Sequence, residues 1–386
     1  MIPKSADIVI IGAGVVGASI AYHLTQMAAE NVLILEKETL PATGSTSKAN
    51  GGIRAQFATE INILLSLKSM EILDSLDEEM KEQVAYIKAG YLFMTARKEN
   101  WKILKNLLRI QEKLGVPVKM LQKSEIEEKT SYAFSEDILG GSFGQNDGFI
   151  DSNGLAAAFL KAAIKRGARI FLETEVTGID VRGRMIRGVR TSKGFIKSGV
   201  VVNAAGPYAS LVADLAGVKL PVEPVRRHVG LTGKAPFLPQ RIPMTVDYDT
   251  GLVIRKEGPA VAICCADPSE KSGFDTSVDR KFFEFISNKI LKRFPILEKA
   301  GMDTKKSWAG LYARTPDNHA ILGKVGEVEG FYLANGFSGH GVMHSPAVGL
   351  VLSELVLKGR AESLDISCLS LQRFKEGKLL QEKTVL

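Results

Sequence analysis

The stretch DIVIIGAGVVG, residues 7–17, joins a run of β-branched residues to three glycines in the spacing Gly-x-Gly-x-x-Gly. An alanine-rich segment follows, and a second apolar run then ends at Glu36. This order of strand, glycine turn, helix, strand and acid is typical of a dinucleotide-binding βαβ unit. Gly12 permits the tight turn, Gly14 lets the backbone approach a pyrophosphate, and Gly17 lets the helix pack closely on the strand. Glu36, about twenty residues further on, is placed to accept hydrogen bonds from ribose hydroxyls. The stretch predicts a dinucleotide site without saying which dinucleotide.

Length and charge narrow the class of protein. A chain of 386 residues exceeds the usual size of one hydrophobic core, so two domains are expected. The formal net charge of +7 comes from dispersed lysines and arginines, and no basic stretch is interleaved with aromatic residues. We therefore expect no nucleic-acid partner.

The spacing of the cysteines and the first apolar run of the sequence bear on the cellular compartment. Cys264, Cys265 and Cys368 show no metal or redox spacing, which fits a reducing cytoplasm. We expect the first apolar run, which Asp7 precedes, to be a strand and not a signal peptide. No apolar run reaches the length of a transmembrane helix, and no cluster has metal-ligand spacing. The sequence predicts a cytoplasmic protein without a membrane span and without a metal site.

The remaining chain predicts the α/β class, with a discontinuous Rossmann-type domain and a second α+β domain built on an antiparallel sheet. We assign residues 1–80, 145–219 and 307–386 to the nucleotide-binding domain. Residues 81–144 and 220–306, in which short β-like runs alternate with proline turns, form the predicted substrate domain.

Two local predictions concern the nucleotide-binding domain. A helix over residues 155–165 should be capped by residues 152–154. The apolar run at residues 199–204 should be a buried parallel strand that leads into a turn facing the ligand.

A second glycine-rich loop, GFSGHG at residues 336–341, precedes an apolar helix predicted over residues 346–357. Ser345 suits the N-cap of that helix, and Pro346 suits its first position. The N-terminal N–H groups and the helix dipole would then favour negative charge beside the loop. A reduced flavin develops such charge along N1–C2=O. On their own, these glycines are equally consistent with an ordinary connecting loop. In a chain that also carries a dinucleotide fingerprint, they favour a flavin-binding loop.

Five motifs follow one another along the chain: the fingerprint, Gly44-Ser45-Thr46 with Gly52-Ile53-Arg54, Val202-Asn203-Ala204-Ala205-Gly206, Ala309-Gly310-Leu311-Tyr312 with Thr315-Pro316-Asp317, and the loop at 336–341. In kind and in order they resemble the motifs of the D-amino-acid-oxidase-like FAD-dependent oxidoreductases. The resemblance spans essentially the whole chain. It is closest to the β subunits of heterotetrameric sarcosine oxidase and dye-linked L-proline dehydrogenase, and it extends to glycine oxidase and monomeric sarcosine oxidase. It implies oxidation of the C–N bond of an amino acid or secondary amine of the sarcosine, proline or glycine class, with hydride passing to flavin N5 and an imine as product.

The resemblance and the glycine motifs together assign the cofactor-binding residues. These are Gly12, Gly14, Val15, Val16, Gly17, Glu36, Lys37, Gly44, Ser45, Thr46, Gly52, Ile53, Val176, Ala204, Ala205, Gly206, Gly310, Gly336, Phe337, Ser338, Gly339, His340, Gly341, Val342 and Met343.

The expected catalytic residues are Arg54, Tyr312 and His340. In sarcosine-oxidase-like members, the arginine at the position of Arg54 lies over the flavin and binds the substrate carboxylate, a task that suits a permanently charged, bidentate donor. His340 is expected to contact the flavin or shape its loop. His228 and Tyr248 are expected to line the substrate pocket, with an ordinary packing role as the alternative.

Three residues depart from better-known members. Gly310 stands where monomeric sarcosine oxidases carry a cysteine bonded to the flavin, so FAD should be non-covalent. Tyr312 stands where glycine oxidase and D-amino-acid oxidase use a carboxylate-binding arginine. Met343, which also borders the expected pocket, stands where monomeric sarcosine oxidase uses a lysine. The carboxylate is thereby left to Arg54, alone or with Arg314.

Some alternatives stay open at this point. Residues 260–266 carry no counterpart of the lysine that helps those oxidases react with oxygen, which favours a dehydrogenase with another, unidentified electron acceptor. An NAD-dependent dehydrogenase would use the same fingerprint, and a non-catalytic or electron-relay subunit would keep the same fold. The resemblance implies a small amine or amino-acid substrate, and it leaves open partner subunits or a homo-oligomer.

Overall fold

The computed structural model describes residues 2–130, 132 and 134–382. Its strands are β1 (Ile8–Ile11), β2 (Val32–Leu35), β3 (Gly52–Ile53), β4 (Tyr91–Thr95), β5 (Val118–Gln122), β6 (Gly140–Gly144), β7 (Gly148–Phe149), β8 (Arg169–Phe171), β9 (Val176–Arg182), β10 (Met185–Thr191), β11 (Gly194–Lys197), β12 (Val200–Asn203), β13 (Glu223–Leu231), β14 (Met244–Asp247), β15 (Leu252–Glu257), β16 (Ala260–Cys264), β17 (Trp308–Arg314), β18 (Ile321–Lys324) and β19 (Phe331–Asn335). Its α-helices are α1 (Val15–Gln26), α2 (Glu60–Asp74), α3 (Glu78–Val84), α4 (Lys98–Lys113), α5 (Lys123–Thr130), α6 (Ser152–Lys165), α7 (Ala209–Asp214), α8 (Arg280–Arg293), α9 (Gly341–Lys358) and α10 (Gln372–Lys375).

A six-stranded sheet in the order β18-β19-β12-β1-β2-β8 carries the fingerprint. Its strands are parallel except for the antiparallel pair β18–β19. Successive side chains of β1 face opposite sides: Ile8 and Ile10 pack with the helices, and Val9 and Ile11 pack with the three-stranded sheet β11-β10-β9. A strand covered on both faces is apolar throughout, which explains the unbroken run of β-branched residues. The predicted strand at 199–204 is confirmed as β12, parallel to β1.

Close packing around α1 depends on two glycines. A Cβ on Gly17 would lie 2.0 Å from the carbonyl oxygen of Gly12, so a larger residue would push α1 away from its turn. A Cβ on Gly349 would lie 2.1 Å from Ser19 Oγ, so α9 also approaches α1 through a glycine. The helices that cover the fingerprint are therefore held at short range.

An eight-stranded sheet in the order β17-β13-β16-β15-β14-β4-β6-β5 forms the second layer. Its pairs are antiparallel except for the parallel pair β4–β14. The α/β class with a largely antiparallel second sheet is thus confirmed. β17 belongs to this sheet although it lies inside the segment 307–386, which we assigned to the other domain. The division of the chain into domains stays a prediction.

Two predicted helix starts are wrong. Helix α6 is capped by Asp151, whose Oδ1 accepts from the N–H of Asn153 at 2.9 Å. Residues 152–154 lie inside the helix, because Asp151 directly precedes them and its side chain supplies the cap. Helix α9 begins at Gly341, with His340 at its N-cap, so Ser345 and Pro346 lie within it.

Candidate active site

A cavity of about 770 Å³ extends along the carboxyl ends of β1, β2 and β12 and continues to β17 and the start of α9. In open α/β sheets, ligands bind outside the carboxyl ends of the strands. The predicted site residues line this cavity, except for Gly17, Ile53, Tyr248, Arg314 and Gly336. Among the residues that the structure describes, no group of His, Cys, Asp and Glu is placed to hold a metal ion. No helix in that part of the chain has both the length and the apolar character to cross a bilayer.

The nucleotide end of the cavity is shaped by backbone. Gly12 has φ +106°, and a Cβ on it would lie 2.6 Å from the carbonyl oxygen of Ala204. The Glu36 carboxylate accepts from the N–H of Ala13 at 2.9 Å and from that of Glu38 at 3.0 Å. These bonds fix the carboxylate on the cavity wall, where it retains lone pairs for ribose hydroxyls. The glycine turn and the fixed acid fit the ADP half of FAD.

The opposite end of the cavity is formed by the loop before α9. The first turn of α9 carries no acidic side chain, and its Gly341, Val342 and Met343 line the cavity. Gly339 has φ +97°, and a Cβ on it would lie 2.4 Å from the ring of Tyr312. Because α9 starts within the glycine loop itself, its free N–H groups lie nearer the loop than the sequence predicted. A helix N-terminus at this place fits the edge of a flavin that gains negative charge.

Ser338 fastens this loop to β17. Its backbone N–H donates to the carbonyl of Ala313 at 2.9 Å, and its Oγ accepts from the N–H of Thr315 at 3.1 Å. Ser45, from the loop after the fingerprint, donates its hydroxyl to the carbonyl of Leu311 at 2.7 Å. The two glycine-rich loops are therefore joined through β17.

Arg54 is buried, with 1% of its surface exposed, and its guanidinium carbon lies 3.8 Å from the centroid of the Phe57 ring. Its Nη1 donates to the carbonyl of Gln56. The aromatic face of Phe57 and the carbonyl of Gln56 therefore hold the Arg54 guanidinium in the wall of the cavity. A guanidinium is a permanently charged, forked donor that matches a carboxylate.

Asp147 supports the Arg54 loop and was not found from the sequence. Its carboxylate accepts from the N–H of Ala55 at 3.1 Å and from Gln56 Nε2 at 3.0 Å. Gln56 also donates to the carbonyl of Tyr91 at 2.9 Å. Burial raises the pKa of Asp147 to about 7, against the opposing effects of Gln56, Ala55 and Arg54. No local pattern marks Asp147, because it contacts Ala55 and Gln56 only in the folded chain.

The histidines near Arg54 are neutral at pH 7. Burial, then the charge of Arg54, holds the pKa of His340 well below its usual value. The same causes lower the pKa of His344 to about 3, and its Nε2 lies 3.1 Å from Ser66 Oγ. His340 packs edge-on against Phe57, with ring centroids 4.9 Å apart. His340 therefore shapes the wall of the cavity without adding charge.

Tyr312 and Arg227 form another wall. The guanidinium carbon of Arg227 lies 5.3 Å from the centroid of the Tyr312 ring, and both residues line the cavity. The sequence does not single out Arg227, because Arg226 is an arginine beside it on the same strand. Only the pairing of β13 with β17 shows that the two side chains lie on opposite faces of the sheet. Burial raises the pKa of Tyr312, so its hydroxyl stays protonated at neutral pH.

The other residues predicted for the substrate pocket contribute little to the lining of the cavity or lie outside it. His228 borders the cavity, but its ring stacks on Phe282 at 4.7 Å and its Nε2 accepts from the N–H of Asp279. Tyr248 does not line the cavity, since it follows β14 in a turn and packs edge-on against Phe93. Arg314 does not line it either, because the strand register pairs it with Glu223, 3.0 Å away.

Comparisons with known proteins identify the family of the chain. The family model described as FAD dependent oxidoreductase (DAO) matches residues 7–355. FAD-dependent oxidoreductase domain-containing protein 1 of Xenopus laevis is 31% identical over 99% of this chain and 85% of the relative. Human mitochondrial sarcosine dehydrogenase is 29% identical over 97% of this chain but only 42% of its own length.

Solved structures show the same fold. L-proline dehydrogenase from P. horikoshii is 32% identical, with a TM-score of 0.92, and the match covers 98% of this chain and 100% of that one. Glycine oxidase from Geobacillus kaustophilus is 26% identical, with a TM-score of 0.85 over 96% of this chain and 99% of that one.

Proposed function

Since the chain belongs to the DAO family of FAD-dependent oxidoreductases, we propose that it oxidises the C–N bond of an amino acid or secondary amine of the sarcosine, proline or glycine class. The observation that carries this proposal is the buried guanidinium of Arg54 in the same cavity as the start of α9. The names of the sarcosine, proline and glycine enzymes among the relatives support the substrate class. The NAD-dependent alternative loses its support, because the family uses FAD.

The residues of the chain have distinct roles in this proposal. Bound FAD supplies the hydride acceptor that turns the amine into an imine. Arg54 binds the carboxylate and so orients the carbon–nitrogen bond. The N–H groups at the start of α9 stabilise negative charge at the far edge of the cofactor site. Tyr312 offers a neutral hydroxyl, and buried Met343 keeps the wall apolar.

We further propose that FAD is held without a covalent bond to residue 310, because Gly310 has no side chain. A Cβ there would lie 2.5 Å from Lys48 Cβ, so the neighbouring loop occupies the space that a larger residue would need. The dehydrogenase reaction is favoured over the oxidase by the apolar run at 260–266. Partner subunits and a cytoplasmic location stay predictions.

An anaerobic screen tests the proposed reaction. The FAD-loaded protein is mixed with sarcosine, glycine, proline and D-amino acids, and loss of flavin absorbance is followed. We expect bleaching by at least one of the first three. Repeating the reaction in air then separates an oxidase from a dehydrogenase. A protein that binds FAD but is bleached by no amine would favour the electron-relay alternative.

Replacing Arg54 tests its role in substrate binding. We expect Arg54→Ala to raise the KM of the active amine about 10- to 100-fold, since a charged hydrogen-bonded contact is lost. FAD content is measured first, so that a loading defect is recognised. Arg182→Ala removes an exposed arginine at the end of β9 and serves as the control. An unchanged KM in Arg54→Ala would remove Arg54 from the substrate site.

A further inference from the structure

A smaller cavity, of about 400 Å³, adjoins the main one. Arg227 and Ala266 border both cavities, so Arg227 lies where they meet. The side cavity is also lined by Lys289 and Arg314 and by the acids Asp267 and Glu270. The substrate cavity therefore has a charged extension beside Tyr312.

The strand register determines which way Arg227 faces. Arg227 pairs with Gly310, and Tyr312 lies two residues further along β17. Residues two apart on a strand share a face, so Arg227 and Tyr312 project to the same side of the sheet. Arg226 projects to the other side and forms ion pairs with Glu270 and Asp275.

The guanidinium of Arg227 is incompletely hydrogen-bonded. Its Nη1 donates to the carbonyl of Arg226 at 2.9 Å. Its Nε is buried and has no hydrogen-bond partner among the described residues. A buried donor without an acceptor is costly, and an arginine presents five donors in a planar fork that matches a carboxylate. This corner of the cavity therefore lacks an acceptor that a ligand would bring.

The nearby acids are already engaged. Glu270 accepts from Arg226 Nε at 3.1 Å. Asp267 accepts from the N–H and the hydroxyl of Ser269, at 2.8 and 2.7 Å. Lys289, on the same side cavity, donates to Cys265 Sγ at 3.2 Å and adds a further positive charge. Arg226 balances the charge of Glu270. Arg227 and Lys289 together then outweigh Asp267, so the local field favours an anionic ligand group.

We propose that Arg227 binds a second anionic group of the substrate, so that the preferred amine carries two carboxylates, one on Arg54 and the other on Arg227. This inference rests on the proposed function, because it takes the main cavity to be the amine site. Tyr312 lies between the two subsites: burial raises its pKa, and the charges of Arg227 and Arg54 both oppose that rise. A substrate with a single carboxylate leaves the Arg227 donors unpaired, and an unpaired buried group is a strong means of discrimination.

Two thioether acids test this second subsite. Thiodiacetate and (methylthio)acetate both place sulfur where the amine nitrogen would lie, and they differ by one carboxylate. Their Kd values for the FAD-loaded protein are measured by isothermal titration calorimetry. We expect thiodiacetate to bind the wild-type protein about tenfold or more tightly, as a charged hydrogen-bonded contact is gained.

Variants then assign the preference to one residue. Arg227→Gln should abolish the preference for thiodiacetate while leaving the Kd of (methylthio)acetate nearly unchanged. Arg227→Lys should retain part of the preference because it keeps the charge. Arg182→Gln, which removes an equal charge from an exposed site, should retain all of it.

Each remaining outcome counts against the inference. Equal Kd values in the wild-type protein would overturn it without any variant, and so would an undiminished preference in Arg227→Gln. If (methylthio)acetate binding depends on Arg54 while Arg227→Gln has no effect, the proposed function stands and the second subsite does not. If neither acid binds, both proposals fail.

Discussion

At the scale of single residues, Asp147 gives the protein a defined pH dependence. Burial raises its folded-state pKa to about 7 from an ordinary value of 3.8. Between these values the folded chain binds this proton more tightly than the unfolded chain does, so stability falls as the pH rises from about 4 to about 7. Above that window the cost of the buried charge is constant. We expect Asp147→Asn to remove this contribution to the slope.

Urea midpoints measured from pH 4 to pH 8 check this expectation. The difference in unfolding free energy between wild type and Asp147→Asn should change with pH inside the window and level off above it. Asp180→Asn, at a more accessible carboxylate on β9, is the control for general charge effects. Parallel pH profiles for wild type and Asp147→Asn would show that Asp147 does not titrate near neutrality.

The same residue shows what the sequence cannot reveal. Arg54 is predictable because it belongs to a short motif next to the glycines. Asp147 bonds to Ala55 across 92 residues, and Arg227 meets Tyr312 only through the pairing of β13 with β17. Contacts of this kind depend on strand pairing between distant segments, which no local spacing records.

At the scale of elements, α9 starts earlier than its composition suggests. Pro346 has no N–H, so the carbonyl of Val342 cannot receive the usual helical bond. The hydroxyl of Ser345 donates to that carbonyl at 2.9 Å and takes the place of the missing donor. The pair Ser345-Pro346, whose composition is typical of a helix start, therefore lies inside the helix.

This arrangement predicts the effect of removing the hydroxyl. Ser345 is fully buried, so Ser345→Ala leaves a buried carbonyl without this donor and should destabilise the protein by about 1–3 kcal/mol. Ser287→Ala is the matched control in α8, where the hydroxyl donates to the carbonyl of Phe283. That carbonyl retains its helical donor, so the control should cost less than about 0.5 kcal/mol. Unfolding free energies in urea compare the two, and equal losses would contradict the compensating role of Ser345.

At the scale of the whole molecule, apolar runs in the sequence mark the central strands of the sheet that carries the fingerprint. Strands β1, β12 and β19 come from three distant segments, yet each is an apolar run that a parallel, doubly covered sheet requires. The turn at Gly12 and the loop before α9 were likewise marked by glycine. No such sequence signal marks the side walls of the cavity, because their residues come from strands of ordinary composition.

A buried ion pair joins α10 to the turn at Asp317, which lies beside the loop before α9. Arg373 in α10 donates to both carboxylate oxygens of Asp317, at 2.7 and 2.9 Å, and both side chains are buried. Burial alone would raise the pKa of Asp317, but the hydrogen bonds and charge of Arg373 lower it overall. The Asp317 turn also holds Thr315, whose N–H donates to Ser338 in the loop before α9. The C-terminal segment thus supports the predicted flavin site.

Breaking this pair should therefore affect both stability and cofactor binding. We expect Arg373→Met to destabilise the protein by about 3–5 kcal/mol, because Asp317 is left as an uncompensated buried charge. Adding Asp317→Asn should recover part of the loss, since it removes that charge. Lys375→Met, in the same short helix, removes an exposed pair with Glu327 and should cost less than about 1 kcal/mol. Urea unfolding and the Kd of FAD are measured on all four proteins. Arg373→Met should weaken FAD binding, whereas Lys375→Met should not. Equal changes in the Kd of FAD for these two variants would show that α10 does not support the loop before α9.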